Sequence, residues 1–373
     1  MKIRRFLMED WLASYKDTCR YNLGESGMPD ITVGELLARC GKSPESLSEI
    51  VLKDHDTRGT ESLRNVIAAT YGKHIGAEHI TVTTGTSEAL FILFNLLLEK
   101  RKSVIVPEPA FQALVDVPAA LGAEKRTYHL TDSNGFNPDP DEVCSLIDDN
   151  TGMVVLNTPH NPSGRILFHD SAQAIIQKAA FHGAYVLSDE HYRYLPLNGS
   201  WPLETFAAPS ENVIATGSIT KCFGVIGLRM GWIVAPEKLI REICDFRDYL
   251  THTLSPVSDY LAAIALENAR SFIEPALKVL RQNAKSLVDM VKSTPGLSLV
   301  RPEGGIVAFP RFEYKISSAE FTLRLIKECD TFVLPGSSFE TEQHFRINFG
   351  QNPELFDTAL DRIHTYCSTL ELP

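Results

Sequence analysis

The chain has 373 residues, of which 44% are hydrophobic and 22% are charged, and its formal net charge is -11. This length and composition are typical of a globular protein that buries a large core, and they favour two domains. The chain contains no long basic run and no apolar run long enough to span a bilayer, so neither nucleic acid nor a membrane is an expected partner.

The seven cysteines are scattered along the chain and form no CxxC pair. An odd number without metal-type spacing is typical of reduced thiols rather than of a disulfide framework, and no metal site is predicted. The first residues, MKIRRFLMEDWL, have an acidic pair where a signal peptide would have its apolar core. We therefore expect a cytoplasmic protein.

The chain begins with an amphipathic stretch that contains Phe6, Trp11 and Tyr15, followed by NLGESGMPDITVGEL. The glycines and proline of the second stretch predict an extended, turn-rich arm. This arm either lies across a site, with Gly24 and Glu25 as candidate substrate contacts, or only links to the main domain.

From about residue 60 onward, helical and strand-like patterns alternate. ESLRNVIAATYGKHIG predicts a helix, and strands are predicted at 80–83, 104–106, 153–156, 185–187, 213–215 and 232–234. This alternation indicates a mainly parallel sheet with helices on both faces. After about residue 240, long helical patterns and shorter strands predict a smaller α+β domain.

Four short stretches follow predicted strand ends, where open α/β sheets bind their ligands. The first, TTGTSEAL, places Gly85, Thr86 and Ser87 at the start of a helix. Its backbone amides and the helix dipole suit a phosphate, although a plain helix N-cap has the same pattern. The second, PEPAF, offers Phe111 either as a platform for a flat ring or as a core residue.

The third stretch, NTPHNPSG, is a rigid turn that presents Asn161 from a fixed position. The fourth, LSDEHY, ends a strand of buried type with Asp189, and Tyr192 follows three residues later. A carboxylate at a buried strand end requires a cationic partner unless it caps a helix.

Residues 217–232, GSITKCFGVIGLRMGW, contain a single lysine, Lys221, with Ser218 before it and Arg229 after it. A lysine beside a hydroxyl and a fixed cation suits imine formation with an aldehyde cofactor that also carries a phosphate. Alone, this segment is equally consistent with a surface loop.

These stretches stand in the order found in class I and II aminotransferases, and the chain resembles that family of fold-type I enzymes over nearly its whole length. The resemblance implies pyridoxal 5'-phosphate as cofactor and an α/β fold with a mainly parallel seven-stranded sheet. It also implies an N-terminal arm (1–45), a large cofactor-binding domain (46–255) and a small domain (256–373). Family sites lie between subunits, so a homodimer is expected.

The resemblance assigns roles at the cofactor ring. Lys221 would form the internal aldimine and shuttle protons, and Asp189 would keep the pyridine nitrogen protonated. Asn161 and Tyr192 would hydrogen-bond the ring oxygen, while Phe111 would stack on the ring. The bond between Asn161 and its following proline is expected to be cis, as it often is in this family.

Phosphate binding would fall to Ser218, Arg229 and the amides of Gly85, Thr86 and Ser87. Substrate binding would fall to Arg346, in FRINF, which would clamp the α-carboxylate of an amino acid substrate. The arm residues Gly24 and Glu25, with Asn161, complete the predicted substrate contacts.

A closer resemblance, carried by EDWL, RDYLTHTLSP and EGGIVAFPRF, is to the capreomycidine synthase-like branch. That branch implies β-elimination and cyclisation of a β-hydroxylated arginine, with ordinary transamination from an L-amino acid to a 2-oxo acid as the alternative. Most members carry a cross-subunit tyrosine five residues before a glycine, here Gly59, whereas this chain has Asp54. Carboxylates considered for a cationic side chain are Asp10, Glu25, Asp30 and Asp54.

Two other functions were weighed. A cofactor-sensing regulator would need an upstream DNA-binding region that the chain does not show. A nicotinamide enzyme is disfavoured because GVIGLRMG does not match GxGxxG.

Overall fold

The computed structural model describes residues 2–98, 102–207 and 211–372. Within these ranges the helices are α1 (Leu7–Tyr15), α2 (Val33–Arg39), α3 (Glu61–Ala69), α4 (Thr86–Leu97), α5 (Gln112–Ala120), α6 (Pro140–Leu146), α7 (His169–Phe181), α8 (Glu237–Arg247), α9 (Pro256–Glu267), α10 (Arg270–Ser293), α11 (Ser318–Cys329) and α12 (Pro353–Cys367). The strands are β1 (Tyr21–Asn22), β2 (Ile80–Thr84), β3 (Ser103–Glu108), β4 (Glu124–His129), β5 (Thr151–Asn157), β6 (Tyr185–Asp189), β7 (Val213–Ser218), β8 (Met230–Val234), β9 (Leu297–Ser298), β10 (Val307–Ala308), β11 (Arg311–Phe312), β12 (Thr331–Phe332), β13 (Leu334–Pro335) and β14 (Phe345–Asn348).

Seven of these strands form the central sheet, in the order β2-β8-β7-β6-β5-β3-β4. The pairs from β7 to β4 are parallel, and β8 runs antiparallel to both of its neighbours. The expected mainly parallel, seven-stranded sheet is confirmed. Strand β4, EKRTYH, escaped prediction because it is an edge strand with charged, partly exposed side chains.

Alternate residues of the buried strands pack on opposite faces of the sheet. Met153 and Val155 pack in a cluster with residues of α4, α5 and α8. Val154 and Leu156 pack in another cluster with residues of α6 and α7. This alternation explains why β5 is buried over its full length, as expected for a strand covered by helices on both sides.

The N-terminal arm packs with the C-terminal part of the chain. Strand β1 pairs in parallel with β12, and β14 pairs antiparallel with β10 and β13. The arm therefore joins elements beyond residue 300, while the domain boundaries at 45 and 255 stay predictions. None of the helices in the described ranges is both long and apolar enough to cross a membrane.

The helix predicted over ESLRNVIAATYGKHIG was too long. Helix α3 ends at Ala69, and Gly72 adopts a φ of 93°, which breaks a helix. Tyr71 leaves the helical path and is buried, where its hydroxyl accepts a hydrogen bond of 2.8 Å from Trp232 Nε1. Tertiary packing overrides the helical pattern here.

The carboxyl ends of β5, β6 and β7 lie side by side at one edge of the sheet. Asn157 pairs with Asp189, and Asp189 pairs with Thr216. Gly231 of β8 faces both Ser218 and Thr83, which brings the turn after β2 to the same edge. The motifs that follow separate strands therefore meet.

Candidate active site

A cavity of about 600 Å³ lies at this edge of the sheet. It is lined by most of the residues predicted from the sequence: Glu25, Gly85, Thr86, Ser87, Phe111, Asn161, Asp189, Ser218, Lys221, Arg229 and Arg346. The structure thus brings together side chains separated by up to 321 positions in the chain.

Asp189 forms a buried anionic wall of the cavity. Its Oδ1 accepts a hydrogen bond of 2.8 Å from Thr216 Oγ1, and its Oδ2 accepts one of 3.3 Å from Asn157 Nδ2. His191 Nδ1 lies 3.1 Å from the same Oδ2. The carboxylate is only 2% exposed, so a cation in the cavity would offset its desolvation.

Lys221 carries the amine of the site. Its side chain opens onto the cavity but is otherwise enclosed by protein, and this burial lowers the pKa of the amine to about 8. The positive charges of Arg346 and Arg229 lower that pKa further, while Glu9 and Glu25 oppose the shift. A larger neutral fraction near pH 7 makes the amine a better nucleophile than an ordinary lysine.

Hydroxyls, amides and one guanidinium converge where β2 and β7 end and β8 begins. Gly85 precedes α4 with a φ of 78°, and a Cβ at that position would lie 2.7 Å from Arg229 Nη2. Ser218 and Thr220 exchange a hydrogen bond of 2.9 Å on the other side. This donor set, with the amino end of α4, suits a phosphate.

Arg346 is fully enclosed at another wall of the cavity. Its Nη1 donates to Asn161 Oδ1 at 3.1 Å, and its Nη2 donates to the Gly24 carbonyl oxygen at 2.7 Å. Its Nε is buried and has no hydrogen-bond partner within the described part of the chain. Burial lowers the pKa of the guanidinium to about 10. An incoming carboxylate would satisfy this group.

Tyr192 and Gly24 do not line the cavity directly. The Tyr192 hydroxyl donates to the Ser26 carbonyl oxygen at 2.9 Å, so it holds the arm, and its contact with a cofactor oxygen stays a prediction. Gly24 reaches the site only through its hydrogen bond to Arg346. The Asn161–Pro162 bond is cis, as expected.

Of the carboxylates considered for a cationic side chain, only Glu25 lies on the cavity. Asp10 pairs with Arg5, Asp30 is exposed, and Asp54 accepts a hydrogen bond of 3.3 Å from Thr253 on the surface. Asp54 therefore does not reach the cavity of its own chain.

Several residues of the cavity wall were missed by sequence reasoning, among them Glu9, Thr220 and His191. Glu9 lies on α1, which covers one side of the cavity; Thr220 lies directly before Lys221, and His191 lies within the LSDEHY stretch. His191 and Thr220 were detectable, because each lies within or next to a motif that had been recognised. Glu9 gave no signal beyond the amphipathic pattern of its helix.

The described residues fit pyridoxal 5'-phosphate. Lys221 supplies the amine, Asp189 a counter-charge for a protonated ring nitrogen, and the group around Arg229 the phosphate contacts. Phe111 is half-buried and packs 5.7 Å from Phe6, measured between ring centroids, which fixes it at the cavity wall.

Comparison with known proteins supports this interpretation of the site. The family model for aminotransferase class I and II matches residues 44–363. Capreomycidine synthase from Streptomyces vinaceus is 33% identical over 353 residues, which cover 93% of this chain and 90% of that protein.

Two solved structures share the fold over the whole length of the chain. A pyridoxal-phosphate-dependent aminotransferase from Streptococcus suis has a TM-score of 0.93 at 26% identity, with 100% of both chains covered. The pyridoxal-phosphate-dependent cyclase OrfR has a TM-score of 0.90 at 26% identity, with 98% of this chain and 97% of that one covered.

Proposed function

Because the chain belongs to the class I and II aminotransferase family and uses pyridoxal 5'-phosphate, we propose that it acts on a cationic, arginine-like amino acid. The proposed reaction is the loss of a β-hydroxyl group from a β-hydroxylated arginine, followed by ring closure through a guanidine nitrogen. Two relatives support this choice: one named capreomycidine synthase and one named a cyclase. The meeting of Lys221, Asp189, Arg229 and Arg346 in one cavity supports the cofactor chemistry, and the observation that carries the preference for a cationic substrate is the presence of Glu9 and Glu25 on the same cavity.

The cofactor, when bound, supplies an electron sink for the pair of electrons left when a bond to the substrate Cα breaks. Asp189 would hold the proton on its ring nitrogen, and the residues around Arg229 would hold its phosphate. Arg346 would bind the substrate α-carboxylate through its unpaired Nε. These contacts orient the substrate so that Lys221 can take the Cα proton.

The proposed reaction balances without a second substrate. The Cα–H and Cβ–O bonds break, and the hydroxyl group leaves with one proton as water. A guanidine nitrogen then bonds to Cβ and loses a proton, and a proton returns to Cα. Lys221 would carry the proton at Cα in both directions.

Ordinary transamination is the second candidate. It is favoured by the structural similarity to the Streptococcus suis aminotransferase. The residues around the cofactor serve both reactions, because each begins with removal of the Cα proton. The requirement for a 2-oxo acid acceptor separates them.

The first experiment tests cofactor attachment. Purified protein should be yellow and should lose this colour on reduction with borohydride, and Lys221→Ala should abolish the attachment. Lys285→Ala is a matched control, since this exposed lysine pairs only with Asp289 on α10. A wild-type protein that never binds the cofactor would refute the proposed function.

The second experiment offers L-arginine and 3-hydroxyarginine with and without a 2-oxo acid. A cyclic product formed with loss of water and without an acceptor supports cyclisation. Product formation that depends strictly on the acceptor would instead assign transamination.

We also propose that the enzyme is a homodimer. Val51, Leu52 and Tyr249 are exposed apolar side chains, with 67%, 78% and 92% of their surfaces accessible. A hydrogen bond of 3.1 Å from Thr57 to Asp248 links the two segments that carry them, and exposed apolar side chains are typical of surfaces that bind another protein. Light scattering should give about twice the chain mass of 41.5 kDa, and a monomer would refute the proposal.

A further inference from the structure

Helix α1 places one glutamate on the cavity. Met8, Glu9, Leu12, Ala13 and Lys16 line the cavity wall, and their spacing puts them on a single helical face. Glu9 is therefore the one carboxylate on this face, and Lys16 lies two turns farther along.

The helix is fixed to the main body of the protein beside Phe111. The Leu7 amide donates to Gln112 Oε1 at 2.8 Å, and Gln112 Nε2 donates back to the Arg5 carbonyl oxygen at 2.8 Å. Met8 is buried in the core. The position of Glu9 relative to the cavity is thus set by the packing of Met8 and by hydrogen bonds of two residues that precede it in the chain.

Glu9 is solvent-exposed on the cavity wall, and its charge acts on two of the groups that line the same cavity. Burial lowers the pKa of Lys221 to about 8 and that of Arg346 to about 10, and the negative charge of Glu9 opposes both shifts. Within the described residues, this carboxylate forms no hydrogen bond or ion pair with a side chain. It is available to a ligand.

A second observation points to a ligand in the same space. Arg346 lines the cavity, and its buried Nε has no hydrogen-bond partner among the described residues, so this group suits the carboxylate end of an amino acid. With that end fixed at Arg346, the substrate side chain extends into the remainder of the cavity. That remainder includes Glu9 and Glu25.

The charges of the cavity favour a cationic side chain there. The phosphate would pair with Arg229, the ring nitrogen with Asp189 and the α-carboxylate with Arg346. Glu9 and Glu25 then remain, and the other basic groups on the cavity wall are Lys16, His191 and the amine of Lys221. Glu25 is held in place, because its Oε2 accepts a hydrogen bond of 2.9 Å from Asn22.

We propose that Glu9, assisted by Glu25, binds the cationic end of the substrate side chain and so determines substrate specificity. This assignment rests on the proposed function, and it names the residue that selects the substrate class. A guanidinium presents two parallel N–H donors that match a carboxylate, whereas the uncharged urea group of citrulline has a similar shape without the charge.

The test measures the binding of L-arginine and of L-citrulline to the holoenzyme. Binding is detected as a change in the absorbance of the cofactor. The wild type should prefer arginine. Glu9→Gln should weaken arginine binding about tenfold or more, since it removes a charge-assisted contact, and should change citrulline binding less than about twofold. Glu25→Gln should have a smaller effect in the same direction.

Asp10→Asn is the matched control. Asp10 is the neighbour of Glu9 on α1, but it pairs with Arg5 and does not line the cavity, so this variant should bind both ligands as the wild type does. Equal cofactor absorbance and equal unfolding midpoints would show that each variant is folded and loaded.

The possible outcomes separate the two proposals. A Glu9→Gln variant that keeps the wild-type preference for arginine, or that loses both ligands equally, overturns the assignment of Glu9 alone. A wild-type holoenzyme without preference for arginine over citrulline overturns the cationic substrate, and the assignment of Glu9 fails with it.

Discussion

Replacing Gly231 with alanine is expected to weaken cofactor binding, because the new methyl group would press on the turn that is proposed to hold the phosphate. A Cβ at this position would lie 2.6 Å from the Gly85 carbonyl carbon and 2.8 Å from the Thr86 nitrogen. Optimal contacts between carbon atoms are about 3.5 to 4.0 Å, so the two backbones must separate by roughly 1 Å. Both contacts are with main-chain atoms, so no side-chain rotation can relieve them.

The expected size of the effect follows from this displacement. Overpacking of this kind costs about 1 to 3 kcal/mol, and a shift of roughly 1 Å takes the amides of Thr86 and Ser87 out of hydrogen-bonding range of a phosphate. Loss of one or two such bonds corresponds to a Kd for pyridoxal 5'-phosphate that is about 10 to 100 times higher.

The assay is a titration of cofactor-free protein with pyridoxal 5'-phosphate, in which binding is detected by absorbance. The unfolding midpoint of each variant is measured separately. Gly34→Ala is the control, since Gly34 lies in α2 outside the cavity and its Cβ would only touch Thr32 Oγ1 at 3.8 Å. A Gly231→Ala protein that binds the cofactor with wild-type affinity would refute the reasoning.

Three further predictions follow from buried groups. Burial lowers the pKa of Lys221 to about 8, so the neutral, nucleophilic amine dominates above that pH. The rate constant for cofactor attachment should therefore rise with pH and level off above about 8. An inflection near 10.5, the ordinary value for lysine, would contradict this prediction. Asp189→Asn removes a buried charge and should lower the rate constant measured in a single turnover about 100-fold or more. A near-normal rate constant would show that this carboxylate is dispensable. Glu190→Gln leaves Arg193 without its buried counter-charge, 3.5 Å away, and should reduce the free energy of unfolding by about 3 kcal/mol; a denaturant midpoint equal to that of the wild type would count against it.

The sheet and most of the cavity wall could be predicted because the relevant signals are local. Asn161, Asp189 and Lys221 each follow a strongly apolar strand within a few residues. Parallel strands end at a common edge, so side chains that follow such strands converge without any knowledge of long-range packing. The turn after β2, which contains Gly85, reaches the same edge because β2 pairs with β8.

The remainder depends on contacts that a local pattern does not encode. The position of Glu9 depends on Gln112, more than a hundred residues away, and the packing of Tyr192 against Ser26 spans 166 residues. Strand β4 lacks a hydrophobic pattern because its edge position leaves its side chains in solvent. Sequence reasoning therefore placed Asp10 and Asp54 among the candidates and missed Glu9, which the docked helix places on the cavity wall.

The hydrogen bond between Gly24 and Arg346 joins residues 322 positions apart, and β1 pairs with β12 across a similar distance. During synthesis the N-terminal arm leaves the ribosome more than 300 residues before its partners are made. Closing so long a loop is entropically costly and slow, so these contacts are expected to form after the central sheet has folded. Arg346, the proposed carboxylate ligand, is thus expected to be oriented after the sheet, and a nascent or C-terminally truncated chain would contain the folded sheet without a competent substrate site.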